Sequence, residues 1–131
     1  MDKHSHIRYW IETSDRDYLT MTSLFRSKDF AWALFIGHLV LEKLFKAIYV
    51  QKMGAEAPRI HDLVRLAEKW GLPLNNVLLD KLEMITRFNL NVRYPDYQQE
   101  FYKLCTESFS VEALNSIDEV RQWLKQSIQT S

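Results

Sequence analysis

The chain has 131 residues, with 17 Lys and Arg balanced by 17 Asp and Glu, so no overall charge holds it on a polyanion or an acidic membrane, and any nucleic-acid contact must use a local patch. Three glycines and three prolines are too few turn formers for an all-β fold of many short strands, and 47% hydrophobic residues exclude wholesale disorder. Cys105 has no second cysteine to pair with, and the N-terminal MDKHSHIRYW has no signal-peptide core, so a single domain over 1–131 in a reducing cytoplasm is expected.

Ile7, Trp10, Ile11, Tyr18, Met21, Leu24 and Phe25 fall mostly three or four apart and predict a first helix from Ile7 to Phe25. Ser27 and Asp29 are candidate N-caps for a second helix from Phe30 to Lys52, with Gly54 as its stop. A short third helix is expected from His61 to Trp70, with Asp62 a sound cap, and Gly71 and Pro73 separate it from a fourth marked by Val77, Leu78, Leu82, Ile85 and Phe88. The segment Asn89 to Pro95 reads as the end of that helix. Asp96 to Glu107 is ambiguous, and Ser110 is a candidate cap for a last helix carrying Leu114, Ile117, Val120, Leu124 and Ile128. Short connections between amphipathic helices favour antiparallel neighbours, so the expected fold is all-α, a four-helix up-and-down bundle with an added C-terminal helix.

The second helix, FAWALFIGHLVLEKLFKAIYV, is apolar on every side except at His38, Glu42, Lys43 and Lys46. Such a helix must be covered all round, by its own neighbours or by a second copy lying on Trp32, Ile36, Leu39 and Val40. A membrane span is disfavoured, because ionisable groups near the middle cost about 3 kcal/mol each on insertion scales. His38, Glu42 and Lys46 are four residues apart and form a polar file. Glu42 and Lys46 are either a structural ion pair or one wall of a cleft that Arg87 or Arg93 approaches; Lys43 reaches solvent, and His38 reads as a structural side chain.

Other chemistry finds little purchase. His38 and Glu42 offer two metal ligands where a structural zinc wants four, glycines 37, 54 and 71 make no phosphate loop, and Cys105 between Leu104 and Thr106 has no neighbouring base. Neither a metal nor a cofactor is expected. The distinctive polar segments are PRIHDL (58–63) and NVRYPD (91–96), where His61 offers a ring nitrogen, Arg93 either a structural clamp or a phosphate fork, and Tyr94 a packed or stacking ring.

Trp10 and Asp17, the run HLVLEKLFKA (38–47), IHDL (60–63) and RYPDY (93–97) together resemble a stand-alone HEPN domain over nearly the full chain. That resemblance implies a four- or five-helix bundle that dimerises, with nucleotide or RNA contact. Many HEPN proteins are metal-independent endoribonucleases with Arg, four to six residues, then His; from Arg87 the histidine would fall at Val92, Arg93 or Tyr94, so the usual pair is missing and no catalytic residue is expected. Others work beside a small nucleotidyltransferase in a toxin-antitoxin-like pair and are modified on a tyrosine near the position of Tyr94. The expected reading is a dimeric binding module for a nucleotide, an RNA or a partner nucleotidyltransferase, with Glu42, Lys46, His61, Arg87, Arg93 and Tyr94 lining its cleft. The alternatives are an endoribonuclease using His61 and Arg93, and a structural assembly subunit.

Overall fold

A computed structural model of the chain describes residues 2–129. The elements, all α-helical, are α1 (Lys3–Arg26), α2 (Phe30–Met53), α3 (Leu63–Lys69), α4 (Asn76–Arg93), α5 (Pro95–Leu104) and α6 (Glu107–Gln129). Four are long and two short. The apolar character of α2 on all sides has a direct cause: it packs against each of the other five helices. Leu34, Leu41, Leu44, Phe45 and Ile48 are wholly buried on it, and their removal from water supplies about 2 kcal/mol each to the fold. Gly37 lets α6 come close, since a Cβ there would stand 2.5 Å from Ile117 Cδ1 and 3.1 Å from Met21 Sδ.

Side chains fasten α1 to α2 at two levels. The buried Ser14 hydroxyl donates to the Val40 carbonyl at 2.8 Å, and Lys43, expected in solvent, pairs with Asp17. Val40 is itself fully buried, whereas Trp32 is 38% exposed and Phe35, Ile36 and Leu39 are half-buried. The outward face of α2 therefore omits Val40, which the sequence pattern had included.

The helix ends correct several expectations. Of the two N-cap candidates, Ser27 is the C-cap of α1, whereas Asp29 is the N-cap of α2, though without a side-chain capping bond. Gly54 ends α2 in the left-handed conformation, at φ 64°, and Asp62 caps α3 by accepting from the Val64 and Arg65 amides. The fourth helix ends at Arg93, inside the segment from Asn89 to Pro95 where its end was expected, and Pro95 starts α5 as its first residue, the helical position where a missing amide costs nothing. Ser110 is buried inside α6 and is no cap; the Thr106 hydroxyl accepts from the Phe109 amide instead, at 3.2 Å. The C-terminal helix is also no appendage, because α6 packs on α2 and α4, while α3 and α5 are the short additions.

Candidate functional site

Glu42 is the centre of a buried polar chain. Two turns of α2 place His38, Glu42 and Lys46 on one file, and all three side chains are buried. Lys46 Nζ donates to Glu42 Oε2 at 2.9 Å, and His61 Nδ1 lies 2.9 Å from Glu42 Oε1. A carboxylate only accepts, so the hydrogen sits on His61 Nδ1. The His61 ring is 55% exposed, and in its neutral form the other nitrogen, Nε2, is an acceptor.

The segment bearing His61 is held a second time through its backbone. His38 Nε2 lies 2.7 Å from the His61 carbonyl oxygen, which fixes the proton on Nε2 and leaves His38 Nδ1 bare. That nitrogen stands 3.8 Å from Glu42 Oε1, beyond hydrogen-bonding distance, and has no hydrogen-bond partner among the described residues. Burial holds His38 below the ordinary histidine range; the Glu42 charge and the His61 carbonyl oppose that shift, while His61 and Arg93 nearby add to it. For Glu42 burial acts upward, yet the hydrogen bonds from Lys46 and His61 and the Lys46 charge outweigh it and hold the carboxyl below its usual range. The resting arrangement is thus a neutral His38 beside a charged Glu42–Lys46 pair.

The arginines take other places. Arg93 donates from Nε to Asn89 Oδ1 at 2.6 Å and lies 5.7 Å from the Phe35 ring centroid, so it does not reach Glu42, which has Lys46 and His61 as partners. Arg87 is exposed and has no hydrogen bond or ion pair among the described residues. Tyr94 is 53% exposed at the junction of α4 and α5. Of the six expected site residues, Glu42, Lys46 and His61 are joined, Arg93 borders them near His38, and Arg87 and Tyr94 face outward.

A cleft of about 420 Å³ opens on the Lys46 side, lined by His6, Tyr9 and Trp10 of α1, Lys46, and Glu56 to Arg59 of the connection before α3. Lys46 Nζ is 5.3 Å from the Trp10 ring centroid, and Tyr9 packs edge-on against Trp10 at 5.1 Å. Sequence reasoning missed His6, Tyr9 and Arg59 as cleft residues, because α1 shows only helical periodicity and Arg59 sits in a stretch that reads as loop. Its one usable signal was Trp10 on the α1 face that meets the Lys46 file. Cys105 is buried and its thiol is pushed up to about 11 by that burial, which removes the thiolate needed of a nucleophile. No group of three or more His, Cys, Asp or Glu suited to a metal ion occurs among the described residues, and no helix among them is long and apolar enough to cross a membrane.

In comparison with known proteins, the family model for the HEPN domain matches residues 7–127. The chain belongs to the HEPN domain family. No curated protein and no solved structure matches it. The HEPN match spans all of α2, α3, α4 and α5 and most of α1 and α6, so the polar chain and all of the cleft lining except His6 lie within the matched residues.

Proposed function

We propose that this HEPN domain is a binding module for a nucleotide or an RNA, acting as a homodimer and without the arginine–histidine pair of the nuclease members. The observation that carries the reading is the Lys46–Glu42–His61 chain. It spends buried charge on fixing one half-exposed imidazole, an arrangement with little use as packing alone, since buried ion pairs contribute little net stability. Arg93 beside it supplies a guanidinium for phosphate, and exposed Tyr94 a ring for a base. For the dimer, the support is the outward face of α2, where Trp32 and its edge-on neighbour Phe35 stay partly uncovered. A partner nucleotidyltransferase would use the same Arg93 and Tyr94 surface and compete with RNA for it.

The test is the anisotropy of a fluorescent single-stranded oligoribonucleotide titrated with the protein in a chelator. The reading predicts saturable binding that weakens with salt and drops about tenfold in Arg93→Ala, equivalent to about 1.4 kcal/mol. Binding indifferent to that substitution contradicts it. A second reading, metal-independent RNA cleavage, is favoured by the His61–Glu42 hydrogen bond, which orients an imidazole as acid/base catalysts require. A denaturing gel of the same samples decides it: cleavage that vanishes in His61→Ala supports it, and intact RNA removes it.

A further inference from the structure

The cleft beside Lys46 has features that the Arg93 surface lacks. Its volume of about 420 Å³ falls within the range of small-molecule sites, about 300 to 1,000 Å³, and its walls combine two aromatic rings with three basic side chains. Lys46 is nine-tenths buried, yet among the described residues only one of the three hydrogens of its ammonium is used in a hydrogen bond, on Glu42. A buried donor with unspent hydrogens on the wall of an open cleft is an unmet demand for an acceptor. Arg59, exposed on the same cleft, has no hydrogen bond or ion pair among the described residues, so its fork of donors is free for an oxyanion. Glu56 is the acidic member of the lining and offers an acceptor for hydroxyl groups. Tyr9, 49% exposed, and Trp10 give flat apolar surface.

We propose that this cleft is a mononucleotide site within a single protomer. The phosphate is held by Arg59 and the free hydrogens of Lys46, the base lies against Tyr9 and Trp10, and Glu56 accepts from the sugar hydroxyls. The proposal rests on the nucleotide reading above and adds to the Arg93 and Tyr94 surface, which keeps the RNA, a separate mononucleotide site at the opposite end of the Lys46–Glu42–His61 chain. It also gives that chain a second purpose, because an ammonium shared between the phosphate and Glu42 links the ligand to the carboxylate that orients His61.

Calorimetric titration of the full chain with AMP, adenosine and inorganic phosphate tests it. AMP is expected to bind at least tenfold more tightly than adenosine or phosphate, because neither fragment engages both halves of the cleft. Arg59→Ala and Tyr9→Ala, both at exposed positions, are expected to weaken AMP about tenfold with unchanged thermal melting. AMP affinity that survives both cleft substitutions, or that falls in Arg93→Ala alone, overturns the cleft assignment. RNA binding that persists in a protein showing no AMP heat overturns the cleft and leaves the RNA reading standing; loss of both signals ends both.

Discussion

Removing the Glu42 carboxylate strands a buried ammonium. Glu42→Ala is therefore expected to destabilise the fold by about 3 kcal/mol, the scale of a broken buried pair, measured as a lower urea midpoint. The double substitution Glu42→Leu/Lys46→Met should recover most of that loss, since apolar replacement of both partners removes the desolvation cost together with the attraction. The two shifted groups give stability a definite pH dependence. His38 is held below its ordinary 6.5, so the unfolded chain takes up a proton there first, and stability falls as pH drops from 6.5 toward the lower folded value. Glu42, held below its ordinary 4.5, adds a second loss as pH falls from 4.5 through its folded value. Thermal melts between pH 8 and pH 4 should show the first decline, and His38→Gln should flatten the portion beginning near 6.5. The file of His38, Glu42 and Lys46 was legible in the sequence because helical spacing alone sets it. The partner of Glu42 was not: His61 lies 19 residues away, and only the path of the connection after α2 brings it back.

At the level of the helices, composition foretold α2 more fully than any other element, because a rod apolar on all sides admits few placements. The ends of α4, α5 and α6 were obscure for identifiable reasons. Asn89 is a weak helix former, but in the fold it is buried and its side chain accepts from Arg93 one turn on, so α4 keeps its helical form to Arg93, within the segment read as its end. Pro95 reads equally well as a stop for one helix and a start for the next, and Ser110 has the chemistry of a cap while its place is buried inside α6. Two substitutions test the helix contacts. Gly37→Leu places side-chain atoms where Ile117 Cδ1 already stands 2.5 Å from the Cβ position and should cost about 3 kcal/mol by overpacking. Asp62→Ala deletes the acceptor for two amides at the start of the seven-residue α3 and should cost about 1 kcal/mol. Urea denaturation reads both, and a neutral Gly37→Leu would contradict the close approach of α2 and α6.

For the whole molecule, five surrounding helices already cover most of α2, so the second copy in the proposed dimer has only the strip from Trp32 to Leu39 left to cover. Trp32→Glu is accordingly expected to shift sedimentation from dimer to monomer while the melting of the monomer's own core is retained; a wild-type chain sedimenting as a monomer at micromolar concentration would remove the dimer. The binding claim is tested most directly by the four indole N–H resonances, from Trp10, Trp32, Trp70 and Trp123, assigned one at a time with Trp→Phe variants and followed as AMP is added. The account predicts that the Trp10 resonance moves saturably while those of Trp70 and Trp123 stay in place. A spectrum in which no indole moves at millimolar AMP, or in which Trp123 alone does, would contradict it.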